Sequence, residues 1–591
     1  MSLVGRIKHE LSGRRLFWNI FFYVGHLAVF VYGWEKQERD PRLAGLNSLK
    51  FSVWISRGAG LCLGVDGLFI VLPVLRNVLR VLRPGLTWLV PLDENIWFHR
   101  QFAYSILFWT IVHTTAHYVN FFNVEKTQIR KETAWAIHYT QPGGFTGHVM
   151  LLLMFFIYTT AHFKIRQQCF EAFWYTHHLV VLFLICLYVH AVGCFVRGAL
   201  PGQEVRCLGY HSWVWAIWGG LAYSLERLVR EIRSRRSTKI VGVLMHPGGA
   251  MELRFVKPSF RYKAGQWLFL NVPDISALQY HPFTISSAPD DPYISVHIRQ
   301  VGDWTSALGE RLGCTPSVAA DIARSASGKT SSTSREKQAL DRHSLILDND
   351  DYFDVTSAAV AAGGKMPVLR VDGPFGAPAE DVFKAEVAIL VGAGIGVTPF
   401  ASILKNIWYK QRQNQLGALR RVHFVWINRD TGSFEWFQSL LRGLEEAQTD
   451  PDFLTINMYL TQRVDEDMLA NIAIHDDAAL DPLTQLRART QFGRPDFASL
   501  FSTIRQQIEL GTFLPGRESS LTTTVGGKSP LLPFLPSVLL GHGIAGKGIL
   551  IQTPFLIVYY CGPSSLAKKL KEQTKGASST SVRFTFAKEH F

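Results

Sequence analysis

Apolar residues are spread unevenly along this chain. Through the first 230 residues they run in long, aromatic-rich blocks; afterwards they break into short stretches separated by Gly, Pro and charged residues. Six blocks are long and apolar enough to read as membrane spans: Leu16–Trp34, Trp54–Leu75, Phe98–Phe122, Gly147–His162, Trp174–Val196 and Ser212–Leu228. The alternating stretches Ile240–Met245 and Trp267–Val272, set between turn residues, predict a small antiparallel barrel. Farther on, strand-like Glu386–Val391 precedes helix-like Phe400–Lys410, Val422–Ile427 follows, and Ser565–Leu570 and Val582–Phe586 close the pattern. Strands alternating with helices predict an α/β layer with a parallel sheet. The expected organisation is a multidomain membrane protein: a six-helix transmembrane bundle over residues 1–235, a β-barrel domain over 236–375 and an α/β domain over 376–591.

Two segments depart from that plan. Thr315–Lys365 is rich in Ser and Ala and reads as a flexible loop expanding the barrel. Gly511–Pro554 interrupts the α/β domain, and Gly527–Val558 reads as a foreign insert, for which a retained intron is one hypothesis that the transcript sequence would test.

The net charge of +14 at pH 7 raises the question of nucleic acid, but no compact basic motif with interleaved aromatics is present. Lys and Arg instead flank the apolar blocks: Arg6, Lys8, Arg14 and Arg15 before the first, Arg76, Arg80 and Arg83 after the second, and Arg227, Arg230, Arg233, Arg235 and Arg236 after the sixth. Positive residues mark the cytosolic side, so an integral, multi-pass protein with both termini cytosolic is expected. The first block is too long for a signal peptide and lacks a small-residue cleavage site, so it reads as a retained anchor. Cys194 and Cys207 flank the loop that this topology puts outside the cytosol, where they are either a disulfide or two separate thiols.

Histidines carry the chemistry of the membrane half. His99 and His113 lie fourteen residues apart in the third block, and His177 and His190 thirteen apart in the fifth. At about 1.5 Å rise per residue these spacings span roughly 19–21 Å, inside a hydrocarbon core of about 30 Å. Two histidines from each helix then suit two stacked haems, His99 with His177 near the cytosol and His113 with His190 near the outer face. Thirteen residues leave the second ligand about 140° from the first on a regular helix, so the fifth span must be irregular, tilted or locally rewound. Phe183 lies between the two levels, either bridging them or simply packing. His117, one turn beyond His113, and Arg57 share the outer level, as a polar pocket for an electron acceptor or as partners of a haem propionate.

In the barrel, His281-Pro282-Phe283-Thr284, then His297-Ile298-Arg299 and Gly302-Asp303-Trp304-Thr305, supply an aromatic, small hydroxyls and an arginine that suit a flavin ring and its pyrophosphate, although each piece alone is a strand with a polar end. After the Glu386–Val391 strand comes Gly392-Ala393-Gly394-Ile395-Gly396-Val397-Thr398-Pro399. Glycines let backbone approach a phosphate, and the helix that follows offers its free N–H groups and dipole. Arg429 ends the next strand, where an arginine favours a 2′-phosphate and hence NADPH over NADH. Cys561-Gly562-Pro563 follows another apolar strand, putting a cysteine where it can pack on a nicotinamide. The terminal Phe591 is either a flavin-stacking ring or a frayed end.

Taken together, FHRQ at 98–101, FWYTHHL at 173–179, HPFTISSAP at 281–289, HIRQVGDWT at 297–305, VDGPFG at 371–376, VGAGIGVTPFASILK at 391–405, FGRPDF at 492–497 and YCGP at 560–563 resemble the NADPH oxidase family, in its phagocyte-like and fungal-type superoxide-generating members. The resemblance covers nearly the whole chain. It implies a bis-haem bundle followed by a ferredoxin-reductase-like module. By it the four histidines ligate two b-type haems, the HPFT and HIR/GDWT segments bind FAD, and the Gly-rich, arginine and CGP segments bind NADPH. It adds Arg494 to Arg429 as a cofactor contact and associates Arg57 and His117 with oxygen reduction. It also implies a small membrane subunit, a cytosolic activator and a Rac-type GTPase as partners, in the plasma membrane or an endomembrane. No calcium-binding loop of the D-x-[DN]-x-[DN]-G type precedes the first span, so direct calcium control is not expected.

The implied activity passes electrons from NADPH through FAD and the two haems to O2 outside the cytosol. A ferric-chelate reductase shares the plan, but its relatives keep fourteen-residue spacing in both helices, and the thirteen here favours an oxidase. A proton-conducting or scaffold membrane protein would also account for intramembrane histidines and Arg57, though not for the HPFT and GAGIG segments.

Overall fold

The computed structural model describes residues 13–87, 89–127, 132–192, 213–246, 250–315, 353–354, 366–448, 450–463, 466, 470, 472, 474, 478–510 and 555–589. The chain divides into two compact units, Met1–Arg230 and Glu231–Phe591.

The first unit is helical. Its main helices are Gly13–Glu38, Phe51–Phe69, Asn95–Thr127, Pro142–Thr160, Phe170–His177, Val180–Val192 and Trp213–Ser234, with a short helix at Arg76–Leu86. Four helical segments among the described residues are long and apolar enough to cross a membrane: Arg15–Glu38, Phe51–Val74, Pro142–Thr160 and Phe170–His190. The 95–127 helix is longer than any of them, yet His99, Arg100, Gln101, His113, His117 and Asn120 lower its hydropathy. The 213–234 helix is diluted by Glu226, Arg227 and Arg230 in the same way. The fifth block is not one continuous α-helix: the first segment stops at His177 and the next begins at Val180. The break at His178–Leu179 is the irregularity that the thirteen-residue spacing required. Cys194 and Cys207 lie outside the described residues.

The second unit opens with antiparallel strands: β1 Lys239–Met245, β2 Ala250–Val256, β3 Trp267–Asn271, β4 His281–Thr284, β5 Ile294–Arg299, β6 Phe353–Asp354 and β7 Arg370–Phe375. They form one sheet in the order β5-β2-β1-β6 and another in the order β4-β3-β7. Alternate residues, among them Val243, Leu253, Phe255, Leu268, Leu270, Val296 and Ile298, fill one core. Pro282 lies on β4, at the edge of its sheet, where its missing N–H leaves no ladder bond unmade. Phe353–Asp354, expected in the flexible loop, instead pairs with Leu244 and Met245 of β1.

The rest of the unit is a six-stranded, fully parallel sheet: β8 Val387–Ala393, β9 Arg421–Asn428, β10 Leu454–Leu460, β11 Thr490–Phe492, β12 Phe555–Cys561 and β13 Arg583–Lys588, ordered β11-β10-β9-β8-β12-β13. Both faces are buried along the inner strands β8, β9 and β12, which is why these read as near-continuous apolar runs. The helix Thr398–Arg412 covers one face; Phe497–Glu509 and Ser564–Ala577 cover the other. Phe555–Val558, read from the sequence as the end of an insert, is instead most of β12, hydrogen-bonded between β8 and β13. An interior strand of a buried sheet must be apolar along its whole length, and this one continues without a sequence break from the apolar stretch before it, so the two read as one segment. Residues 511–554 lie outside the described residues.

Candidate functional site

In the helical unit the four histidines meet as two pairs. Ring centres of His99 and His177 lie 6.2 Å apart, and those of His113 and His190 lie 6.3 Å apart. Two imidazoles on opposite faces of one metal, with metal–nitrogen bonds of about 2.0–2.1 Å and ring centres about 1.1 Å behind the nitrogen, stand roughly 6.2 Å apart. The separation therefore fits an axially ligated haem at each level. Backbone carbonyls fix the rings: His99 Nδ1 donates to Ile70 O (2.8 Å) and His113 Nδ1 to Ser56 O (2.9 Å), which leaves each Nε2 for a metal. His190 Nδ1 lies 3.2 Å from Thr146 Oγ1. Gly60 stands against the His113 ring, where a Cβ would sit 3.3 Å from Cε1, so its missing side chain lets the helix pass this close.

His117 stacks edge-on against His113 at 4.5 Å, and Arg57 is near enough to act electrostatically on His113, His117 and His190. The expected outer cluster is thus brought together. Phe183 is half-buried on the 180–192 helix. The sequence reading missed a buried network joining the 13–38, 51–69 and 95–127 helices: His26 Nε2 donates to Asp66 Oδ1 (2.7 Å), and Ser105 Oγ to Asp66 Oδ2 (2.7 Å). An aspartate inside the second apolar block was the signal available for it.

In the second unit, HPFT is β4 and GDWT starts the helix Asp303–Arg311, so the two segments converge. His281 stacks on Trp304 with ring centres 4.1 Å apart, and Phe283 lies 6.1 Å from the same indole. Trp304 is buried, and its Nε1 has no hydrogen-bond partner among the described residues, a polar atom waiting for a ligand such as FAD. Thr305 Oγ1 accepts from Gly302 N (3.0 Å) and caps that helix, while Arg299 is exposed at the end of β5. The His297 imidazole turns away from this convergence: it is buried and packs on Phe437 at 4.6 Å.

The parallel sheet has its topological switch between β8 and β12, since the chain leaves β8 toward β9 and returns on the other side. A ligand crevice is expected outside the carboxyl ends of strands at such a point. The carboxyl end of β8 carries Gly392, Gly394 and Gly396; that of β12 carries Cys561, Gly562 and Pro563. The two are in register at Cys561 and Gly392, and a Cβ on Gly396 would collide with the Cys561 carbonyl. Gly394 adopts φ +57°, and the buried Thr398 begins the helix aimed at the crevice. Arg429 follows β9 and Arg494 follows β11, both exposed along the same edge. Burial pushes the Cys561 thiol up, with Glu589 adding to it, so it stays a neutral group. Phe591 lies outside the described residues; the last strand before it is tied down where Ala379 N donates to Glu589 Oε1 (2.7 Å).

Comparison with known proteins agrees with this division of labour. Residues 59–188 match a family described as ferric reductase like transmembrane component, 235–379 an FAD-binding domain and 385–523 a ferric reductase NAD binding domain. Over 96% of its length the chain is 32% identical to NADPH oxidase 1 of Mus musculus, covering 92% of that protein. It is 33% identical to a superoxide-generating NADPH oxidase heavy chain of Dictyostelium discoideum, over 98% of this chain and 97% of the relative. Against NADPH oxidase 3 of Homo sapiens it is 31% identical, over 81% and 88% respectively. Full-length relatives that are oxidases leave the ferric-reductase alternative with less support. The chain belongs to the NADPH oxidase family.

Proposed function

We propose that the protein is a multi-pass transmembrane oxidase that takes electrons from NADPH on the cytosolic side and releases superoxide on the other. The observation that carries this reading is the pairing of four imidazoles at 6.2 and 6.3 Å, at two levels of one helical unit. When bound, NADPH and FAD supply hydride transfer, and two b-type haems supply one-electron carriage to O2. The residues of the chain do the holding. His99 and His177 grip the inner level, His113 and His190 the outer, and Phe183 packs between them. Held by two imidazoles each, the haems would supply one-electron carriage, so superoxide would be the expected product. Arg57 and His117 line the acceptor pocket at the outer level, where positive charge favours the anion being formed.

His281, Pro282, Phe283 and Thr284, with Arg299, Gly302, Trp304 and Thr305, hold FAD, and Phe591 covers it; the His297 imidazole, packed on Phe437, takes no part in that hold. Gly392, Gly394, Gly396 and Thr398 receive the NADPH pyrophosphate, Arg429 and Arg494 its 2′-phosphate, and Cys561, Gly562 and Pro563 the nicotinamide. The three-domain boundaries at 235 and 375, a six-span topology with both termini cytosolic, and the small membrane subunit, cytosolic activator and Rac-type GTPase belong to the same proposal.

The purified chain should show a reduced-minus-oxidised b-type haem spectrum and NADPH-dependent dye reduction abolished by superoxide dismutase. Dye reduction insensitive to the dismutase but requiring ferric chelate would favour a reductase. A colourless protein after haem supplementation would remove both.

A further inference from the structure

One cluster of metal-ligand side chains lies apart from the haem level and from the nicotinamide crevice. Glu252 on β2 faces His297 on β5 directly across the ladder, and on its other side it faces Leu244 of β1. His246 lies two residues beyond Leu244, so strand periodicity puts all three side chains on one face, opposite the barrel core of Val243, Leu253 and Ile298. They are almost fully enclosed, with 7%, 5% and 7% of the surface of His246, Glu252 and His297 exposed. One nitrogen or oxygen from each lies within 4.8 Å of the others.

The geometry differs from that of the haem pairs in an informative way. The His246 and His297 ring centres are 5.1 Å apart, with planes 28° from parallel. Neighbouring ligands on a tetrahedral ion, with metal–nitrogen bonds of about 2.0–2.1 Å, place ring centres about 5 Å apart, against roughly 6.2 Å for ligands on opposite faces. His246 Nε2 is buried without a hydrogen-bond partner among the described residues and stands 3.6 Å from Glu252 Oε2. His297 Nδ1 is already engaged by Ser286 Oγ at 2.8 Å, which orients the ring and leaves Nε2 for an ion. Arg254 donates from Nε and Nη2 to the two Glu252 oxygens, each at 3.0 Å. Each oxygen keeps a second lone pair, and an outer hydrogen-bond partner on a ligating carboxylate is the usual arrangement.

We propose that His246, Glu252 and His297 bind a divalent transition-metal ion, zinc being the ion that two imidazoles and one carboxylate in tetrahedral disposition favour, with water as the fourth ligand. The ion ties the ends of three strands together behind the flavin segment. Through the His297 ring, 4.6 Å from Phe437, it also steadies the helix Glu435–Ala447 of the nucleotide half. This assignment stands independently of the oxidase reading.

The test uses the full-length detergent-purified protein, stripped with EDTA, given Zn2+, desalted, and assayed for metals by mass spectrometry against haem iron. One zinc per two haem irons is expected for the wild type, a near-complete loss for His246→Asn, and retention for His246→Cys, because a thiolate also ligates zinc. Haem and flavin content report folding. Should His246→Asn fail to assemble, Glu252→Gln, which keeps the side-chain shape, makes the same comparison. A wild-type protein that holds no more zinc than a folded variant, whether both are empty or both carry surface-bound ion, overturns the proposal.

Discussion

Gly396→Ala probes whether the two halves of the nicotinamide crevice meet. A Cβ at Gly396 would lie 2.8 Å from the carbonyl carbon of Cys561, closer still to its oxygen, and 3.2 Å from Gly562 N. All three are backbone atoms of β12 and the turn that follows, so no side-chain rotation relieves the overlap. Restoring ordinary contact requires moving one backbone segment by about 1 Å, and overpacking of this kind costs about 1–3 kcal/mol. Strain is relieved most easily by shifting Cys561–Pro563, since β8 is hydrogen-bonded on both sides whereas this turn lies at a strand end. If the whole cost falls on the bound transition state, kcat/KM for NADPH falls roughly 5- to 150-fold. The assay is NADPH-dependent dye reduction in membranes, normalised to dithionite-reduced haem absorbance, which should stay at wild-type level. Gly394→Ala is the comparison: nothing lies within 4 Å of its Cβ position, and only its φ of +57° is strained. That costs about 1–2 kcal/mol. A Gly396→Ala enzyme with full haem content and kcat/KM within twofold of wild type would refute the close approach of the two segments.

His113→Leu should halve the haem content and abolish superoxide while NADPH still reduces the flavin, as read by pyridine haemochromogen assay and anaerobic flavin bleaching. Asp66→Ala strands His26 Nε2 and Ser105 Oγ inside the bundle. Breaking such a buried pair costs about 3–5 kcal/mol, so haem should be released at lower temperature in a thermal ramp. Arg429→Glu should lower the NADPH over NADH preference by at least about tenfold, because hydrogen bonds to a charged group contribute about 1.5–3 kcal/mol each; unchanged cofactor selectivity would place the 2′-phosphate elsewhere. His423, buried in β9, has its imidazole held down at about 4 by burial, with Arg421 contributing. Its folded value lies below the unfolded value of about 6.5, so the unfolded chain takes up the proton first and stability falls as pH drops from 6.5 toward 4, by about 1.4 kcal/mol at pH 5.5. The loss of melting temperature between pH 7.5 and 5.5 should be smaller in His423→Gln than in the wild type.

Much of this protein is local and therefore readable in order along the chain. The fourteen- and thirteen-residue histidine spacings lie within single apolar blocks, and the second called for a departure from a regular helix, which the structure places at His178–Leu179. Apolar runs such as Val387–Val391 and Ile240–Met245 each announce a strand, and in both, consecutive residues are buried. The glycines after β8 and the arginine after β9 stand at strand ends wherever the strands go. Other features required the chain to fold back on itself. Phe555–Val558 looked like an insert because only pairing with β8 and β13, distant in sequence, makes that run an interior strand. Gly396 meets Cys561, Glu252 faces His297, and His26 finds Asp66 across intervals that no local pattern encodes. Periodicity specifies which face a side chain occupies. Which other face it meets is decided by the burial of apolar surface and the pairing of buried polar groups summed over the whole fold, and that sum has no address in any one stretch of sequence.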